Sequence, residues 1–511
     1  MNTPKSLVYG PTGLGHLDSN SKGHWQTLHD EKHRFAGVCD PSMSQIHVFR
    51  RNHLSRFYRT NNRGLPPELL LLIFEYVYAD SRTLNGEWIA CSSQSRTQFP
   101  FAPAGVCKAW RDVLASVPRF WTRIIINLDI TKLSDVDTYL HLSRKLAFEI
   151  TVTRDQRIIS QSRTNNDNEG VQAAAVMARI VPHLHRCRSL CFQLLRGSSL
   201  PALRYLNVRA PLLERLKLQC GIDDGEHPLV GSEVPEQWRF YAPALRHLFL
   251  NGRNFRDACA LRWVEQLPSL EDLCVSRYSG GKHPTGELHL HDVLIVVDRL
   301  HRWFGILQKL TLQDISFDGI LTQQDGYDIQ IEAVSLQSIG LSTVRAIFMS
   351  KTGPAPHLVH IKHELSPSVY HIRLTQADTL VLEGPFSRIA EAINLWDGNC
   401  LSIKNCPTFN NRTIRDIHCS WNPNKLTSPN WSRLEIDNCT DFSADALQAL
   451  IDARDDAVQR ARDRDPTQAL FNSLQVLQVH GGPPISAEDA EAFKEKLLTF
   501  AWHEAATGIT H

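Results

Sequence analysis

A short leucine pattern recurs from residue 203 onward in this 511-residue chain and constrains its fold more than any other feature. Each copy of L-x-x-L-x-L predicts a short strand whose leucines enter a shared core and whose intervening polar residues lie on the opposite, concave face. We therefore expect an α/β protein with a row of parallel strands joined by helices or irregular crossovers. With conservative substitutions, the copies are LRYLNV at 203, LERLKL at 213, LRHLFL at 245, LEDLCV at 270, LQKLTL at 307, LQSIGL at 336 and LQVLQV at 474, with weaker copies VYHIRL at 369, ADTLVL at 377, CLSIKNC at 400 and WSRLEIDNC at 431.

The strongest pair of copies carries a cysteine five residues after its first leucine: Leu401 with Cys406 and Leu434 with Cys439. In the second copy, Ser443 is placed to cap a helix through ADALQALIDARDDAVQRA, which predicts the strand, turn and helix of one repeat. The two cysteines are expected to be small buried thiols in the turn. The copies at 203 and 213 are too close for a strand and a crossover helix, so some copies must be degenerate.

Two apolar helical faces precede the repeats. In GLPPELLLLIFEYVY, prolines at 66 and 67 suit a first helical turn, and in VCKAWRDVLASVPRFW a proline at 118 ends the pattern. Periodicity predicts two short amphipathic helices. Their apolar faces are formed by Leu69, Leu70, Ile73, Phe74 and Val77, and by Val106, Trp110, Val113, Leu114 and Val117.

Charge and composition restrict the partners. With 55 basic and 54 acidic residues, the chain lacks the electrostatic footprint typical of proteins that bind nucleic acid or membrane surfaces. The longest apolar runs are shorter than the roughly 20 residues that span a bilayer. Because the cysteines are scattered singly or loosely grouped and the first residues lack the apolar core of a signal peptide, we expect reduced thiols and an intracellular location, in the cytoplasm, the nucleus or both.

With these motifs in place, the sequence resembles F-box proteins with divergent leucine-rich repeats of the fungal, basidiomycete-like kind. The motifs that carry the resemblance are LPPELL with Ile73 and Phe74, VCKAWRD from Val106, and PRFW ending at Trp121. The chain departs from the family pattern by extra residues between Phe74 and Val106. The resemblance implies a short helical F-box module followed by a leucine-rich-repeat solenoid. The boundaries it predicts are a disordered tail at 1–62, the F-box at 63–124, a linker or first irregular repeats at 125–185, the repeats at 186–503 and a tail at 504–511.

In this family the F-box docks on the Skp-type adaptor of an SCF-type cullin-RING ubiquitin ligase, and the repeats hold the target protein. A module this small cannot bury all its apolar side chains, so part of that surface must meet another protein. An alternative is that Trp110 and Trp121 pack the module against the first repeats. The adaptor-binding residues predicted on this basis are Leu65, Pro66, Leu69, Leu70, Ile73, Phe74, Val106, Cys107, Trp110, Leu114 and Trp121.

Polar residues among the repeat leucines are candidates for contact with the target protein. The alternative for each is simple solvation at the surface. The residues selected by this geometric argument are Arg204, Arg215, Lys217, Arg246, Gln308 and Lys309.

Motifs for catalysis or for a cofactor are weak throughout the sequence. GPTGLGH at 10–16 lacks the Lys-Ser/Thr of a phosphate-binding loop, and HLVHIKH, with His357, His360 and His363, fits a metal site in neither strand nor helix spacing. HPTGELHLHD, with His289, His291 and Asp292, reads as a loop entering a strand. We therefore expect a chain that is not an enzyme and that carries no metal or cofactor.

Two other classes of function remain open. The runner-up is a leucine-rich-repeat scaffold whose F-box has decayed and which acts outside any ligase. A third class is a hydrolase on a β-rich solenoid, which requires a cluster of perturbed carboxylates or a His-Cys pair in a concave pocket.

Overall fold

The structure, a computed structural model, describes the chain from residue 65 onward with gaps. The predicted tail at 1–62, the copy VYHIRL, His363 and residues 84–98 between Phe74 and Val106 lie outside the described residues. The chain divides into two compact units between Leu72 and Ile73, inside its first described helix. The described ranges are 65–83, 99–154, 168–224, 240–279, 288–305, 307–317, 327, 330–340, 343–344, 347–348, 356–362, 377–386, 389–394, 396, 398–419, 431–464 and 473–505.

Both predicted amphipathic helices are present. Helix α1 covers Pro67–Thr83 and begins at the second proline of LPPELL. A short helix α2, Phe101–Ala104, precedes α3, Lys108–Ser116. Pro118 ends α3 and opens a 3-10 turn, Pro118–Trp121, because its ring excludes a further α-helical hydrogen bond.

Fourteen strands among the described residues form a single sheet in which every strand pairs in parallel with the next strand along the chain. The α/β class and the row of parallel strands are therefore confirmed, and the sheet is consistent with a leucine-rich-repeat-like solenoid. The strands are β1 Arg123–Asn127, β2 Phe148–Thr153, β3 Cys187–Arg196, β4 Arg215–Ile222, β5 His247–Asn251, β6 Asp272–Tyr278, β7 Lys309–Ile315, β8 Ala333–Gln337, β9 Leu358–Lys362, β10 Thr379–Glu383, β11 Cys400–Lys404, β12 Arg433–Asp437, β13 Val476–Gly482 and β14 Thr499–Glu504.

Helices fill many of the crossovers between strands, and 3-10 turns fill others. Parallel strands require such crossovers, because the chain must return to the end of the sheet where the previous strand began before it can form the next one. The helices are α4 Leu133–Leu142, α5 Glu169–Ile180, α6 Gly252–Ala260, α7 Leu290–Phe304, α8 Ile389–Asn394, α9 Asn411–Cys419, α10 Ala444–Arg464 and α11 Ala487–Lys496, with 3-10 turns at Val181–Arg186, Gly197–Ser199, Leu203–Leu206 and Val264–Gln266.

Two rows of apolar side chains run across the sheet and form its core. In β12 they are Leu434 and Ile436, which align with Leu401 and Ile403 of β11 and are almost fully buried. The same two positions are buried in every strand from β1 to β13. Because each such side chain contributes about 1.5–3 kcal/mol on burial, these rows fix the register of the strands.

A residue with left-handed backbone geometry lies near the end of most of the later strands, five positions after the strand begins. In β12 this residue is Asn438, whose φ is 51° and whose N–H donates to the carbonyl of His480 in the next strand at 2.7 Å. Its side-chain amide also donates to Asn405 Oδ1 of the preceding repeat at 3.3 Å. The left-handed residues at this position are Arg277, Asp314, Ser338, Gly384, Asn405, Asn438 and Gly481.

The repeat that was predicted from the paired cysteines is confirmed in detail. Cys406 and Cys439 are buried in the turns, and the N–H of Cys406 donates to Cys439 Sγ at 3.3 Å. A hydrogen bond with Cys439, together with burial, raises the pKa of the Cys406 thiol. The Ser443 hydroxyl accepts from the N–H of Ala446 at 3.3 Å at the start of α10, as a cap should.

Three predictions about single segments are wrong. LRYLNV forms a 3-10 turn at Leu203–Leu206 rather than a strand, which also resolves the short spacing to the next copy. The strand near 336 is Ala333–Gln337, so the pattern there begins five residues earlier than LQSIGL at 336 implied. HLHD enters helix α7 with His289 as its N-cap, because the Asp292 carboxylate accepts the His289 N–H at 3.0 Å.

Gly481 provides a test of the left-handed turn. Its φ is +64°, and an added Cβ would lie 2.4 Å from Asn438 Oδ1. We expect Gly481→Ala to lower the free energy of unfolding by about 1–3 kcal/mol, measured by urea denaturation followed by circular dichroism. Gly340→Ala is the control because no atom lies within 4 Å of its added Cβ. Equal stability of the two variants would contradict the assignment.

Candidate functional site

Helix α1 exposes a row of large apolar side chains. They recur at intervals of three and one residues, which places them on one face of the helix. Leu72 is 62% exposed and Tyr76 is 79% exposed, far more than large apolar residues usually are in a packed helix. We call the part of this surface that follows Leu72 the exposed α1 face, defined by Ile73, Tyr76 and Val77.

The other side of helix α1 rests on a cluster of aromatic rings. Phe74 is buried and meets the edge of Trp110 of α3 with ring centroids 5.2 Å apart. One turn along, Tyr78 packs against Phe120 at 5.3 Å and Phe99 at 5.9 Å. These contacts orient the helix, because aromatic pairs add about 0.5–1.5 kcal/mol each beyond the area they bury. The exposed α1 face is therefore presented on a packed base.

Polar contacts hold the short helices together. Arg119 of the 3-10 turn pairs with Glu75 of α1, and Arg111 Nε donates to the carbonyl of Ala104 at 3.2 Å. The Trp121 indole N–H donates to the carbonyl of Leu114 at 2.9 Å. These bonds join α1, α2, α3 and the 3-10 turn.

Trp121 lies inside the chain rather than on its surface. Its ring is 3% exposed, stacks on Tyr139 of α4 at 5.8 Å and meets the edge of Phe101 at 6.1 Å. This geometry matches the packing alternative for Trp121, in which the ring joins the helices to the first crossover of the sheet.

The predicted adaptor-binding residues fall into three groups by exposure. Sequence reasoning omitted Leu72 and Tyr76 from this set, and omitted Val77 although it was on the predicted face. Leu69, Ile73 and Val77 are each one helical turn apart, and this spacing was the sequence signal that could have added Val77 to the predicted set. Exposed are Leu65, Pro66, Leu69, Ile73 and Val106; partly exposed are Cys107 and Trp110; buried are Leu70, Phe74, Leu114 and Trp121.

The predicted target-facing residues occupy three kinds of position: on a strand, just before a strand, and in a 3-10 turn. Arg215 and Lys217 lie on β4 and Lys309 on β7, with side chains on the polar face of the sheet. Arg246 and Gln308 stand one residue before their strands. Arg204 lies in the 3-10 turn, so the premise that it stands between strand leucines is wrong.

Three described histidines among the metal candidates, His291, His357 and His360, lie beside other side chains. His360 on β9 lies 3.0 Å from Glu383 Oε2, and His357 lies 3.5 Å from Asp378. Burial lowers the pKa of His360, although Glu383 acts in the opposite direction. His291 stands in the first turn of α7 beside the Tyr327 hydroxyl. Within the described ranges, no group of three or more His, Cys, Asp and Glu side chains is arranged to hold a metal.

A buried ion pair at the carboxyl ends of the strands had no sequence signal. Arg253 Nε donates to Asp223 at 2.6 Å, and both side chains are 5% exposed or less. Ser279 donates to the same carboxylate through its N–H and its hydroxyl, both at 2.9 Å. Burial would raise the pKa of Asp223, but the bonds from Arg253 and Ser279 lower it. Through these bonds Asp223, at the end of β4, is joined to α6 and to the end of β6, which holds the carboxyl ends of these strands together.

No family model matches this chain, and no curated protein is significantly similar to it. Among the described helices, none combines the length and the apolar character required to cross a bilayer.

Truncating a side chain should destabilise helix α1 strongly on its buried side and very little on its exposed side. Phe74→Ala removes a buried ring, and we expect it to cost about 3 kcal/mol, seen as about 100-fold faster amide hydrogen exchange in α1 by mass spectrometry. Tyr76→Ala, two residues away on the exposed α1 face, is the control and should leave exchange nearly unchanged. Similar effects of the two substitutions would show that α1 does not pack as described.

Proposed function

We propose that this chain is the substrate-recognition subunit of an SCF-type ubiquitin ligase. In this proposal residues 63–124 are an F-box that binds the Skp-type adaptor, and the parallel sheet carries the target protein. The observation that supports it most is the exposed α1 face, which lies in the segment that resembles the F-box in sequence.

An exposed apolar face of this kind favours a protein partner. Ile73, Tyr76 and Val77 are exposed and adjoin one another along one helix, whereas apolar residues on a free surface usually occur singly. A few side chains at the centre of an interface, among which tyrosine is enriched, account for most of its binding free energy, at about 2 kcal/mol or more each. Covering this face would remove it from water.

The packed base beneath the helix supports the same interpretation. Because Phe74 and Tyr78 fix helix α1 against α3 and the 3-10 turn, the exposed side chains are held ready for a partner. Binding by an ordered helix loses less conformational entropy than binding by a flexible segment. In this proposal the exposed residues contact the adaptor, and the buried ones, including Leu114 and Trp121, support them from within.

The repeats would then act by proximity. A target protein held on the sheet has its lysines near the ubiquitin thioester carried by the rest of the ligase, which raises their effective concentration. No acid, base or cofactor from this chain is required for that step. The ligase supplies the chemistry and this chain supplies the choice of target.

Direct binding to a purified Skp-type adaptor tests the proposal. We expect Ile73→Asp and Tyr76→Asp each to weaken binding about 30-fold or more in isothermal titration calorimetry, because a carboxylate cannot be buried against an apolar partner without a large cost. Circular dichroism should show an unchanged melting temperature, since both side chains are exposed.

The control is Val171→Asp, which places the same charge at an exposed apolar position on a different helix, α5. It should bind the adaptor as the natural chain does. If the natural chain does not bind any Skp-type adaptor, the scaffold with a decayed F-box is favoured instead. If all three variants bind equally, the exposed α1 face is not the docking surface.

A further inference from the structure

We infer that the polar face of strands β4 to β7 is a docking surface for an extended acidic segment of a partner protein. The surface, called here the cationic face, consists of Arg215 and Lys217 on β4, Phe249 on β5 and Lys309 on β7. The interpretation of this segment as part of a ligase target rests on the proposed function, whereas the docking itself does not.

The register of the strands brings these side chains to one surface. Arg215 aligns with His247, His247 with Asp272, and Asp272 with Lys309, so the four form one row across the sheet. Lys217 aligns with Phe249 in the adjacent row, with its ammonium 5.8 Å from the ring centroid. Residues that alternate with the buried leucines point away from the core.

Among the described residues, the three cations of this face pair with no carboxylate. Within the described parts of the chain, none of Arg215, Lys217 and Lys309 has a carboxylate oxygen within 4.0 Å. The one carboxylate in their row, Asp272, is engaged by His247 at 2.8 Å. Their positive charge is therefore available to a ligand.

Carboxylates just outside the row do not neutralise these cations. Glu271 precedes β6 by one residue and pairs with Arg246 at 3.3 Å. Glu214 is exposed one residue before β4 begins, and its carboxylate is not within 4.0 Å of any of the three cations.

Charges on the same face of the later strands behave differently. Lys362 pairs with Glu383 of the next strand at 2.7 Å, and Lys404 pairs with Asp437 at 3.2 Å. Arg433 pairs with Glu435 within β12 at 2.7 Å. On β9 to β12 these cations are thus paired with carboxylates of the same or a neighbouring strand, unlike Arg215, Lys217 and Lys309 on β4 and β7.

The spacing of the cations fits an extended chain that crosses the strands. Arg215 and Lys309 are three strands apart, which is about 14 Å at the usual strand separation. Two residues four positions apart in an extended peptide are separated by about 13 Å and point to the same side. Acidic residues at those positions would reach Arg215 and Lys309 together.

The middle of the surface selects a different side chain. Asp272 would repel an acidic residue there, whereas Phe249 offers a partly exposed ring to an apolar one. Two of the three cations are lysines, point charges that suit carboxylates, whereas phosphate recognition typically relies on clusters of arginine forks. The partner segment is therefore acidic, apolar in the middle, and unmodified.

Fluorescence anisotropy with a labelled nine-residue peptide tests this inference on the full chain without adaptor. The peptide has two glutamates four residues apart, a leucine midway between them and serines elsewhere. We expect Arg215→Glu combined with Lys309→Glu to weaken binding about 10-fold or more, and added salt to weaken binding to the natural chain. The matched control, Lys145→Glu combined with Arg412→Glu, carries the same charge change at exposed positions off the sheet and should bind normally.

Three results would overturn the inference. They are absence of binding to the natural chain, equal loss in both double variants, and a phosphoserine version of the peptide that binds 10-fold more tightly than the glutamate version. The last result would assign the surface to a phosphorylated segment. Because adaptor binding is measured separately through the exposed α1 face, either proposal can fail without the other.

Discussion

The alignment of two apolar rows across fourteen parallel strands is the constraint on which the rest of this molecule depends. At two fixed positions of the repeats an apolar side chain, most often leucine, isoleucine or valine, enters the core, as Leu380 and Leu382 do in β10. A slip of one residue would turn these side chains to the polar face, so the register cannot vary. The polar residues between them are thereby fixed in rows of their own. The cationic face exists because of that alignment, not because its residues are near in sequence.

The first strands show how the sheet begins. Strand β1 is buried almost throughout, and Trp121 sits two residues before it, where later repeats place a leucine such as Leu213 or Leu245. The tryptophan therefore serves as the first core position of the repeats and as a partner of helix α3. This double role explains why so much apolar surface precedes the strand. Trp121 thus belongs to the buried aromatic residues, whereas the side chains of the exposed α1 face are not part of the sheet core.

Sequence periodicity was sufficient for strands that alternate cleanly and insufficient for those that do not. LERLKL, LRHLFL and LQKLTL alternate buried and partly exposed residues, and each was found. RIIIN and FEITVT were missed because their intervening residues, Ile125 and Thr151, are also buried, which removes the alternation. In β14 the aromatic residues Phe500 and Trp502 replace the leucines. At the candidate site, helical spacing identified the apolar face, but tertiary packing alone decides that Phe74 is covered and Tyr76 is not.

Strictly sequential pairing has a consequence for how such a chain is made. Each strand finds its partner in the strand synthesised just before it, so no strand waits for a distant segment to leave the ribosome. Assembly from the amino end can therefore keep pace with translation, each new repeat burying the open edge left by the last. Besides the outer edge of β1, a nascent chain of this design leaves unpaired the edge of its newest strand, and each added repeat covers that edge in turn, which limits aggregation.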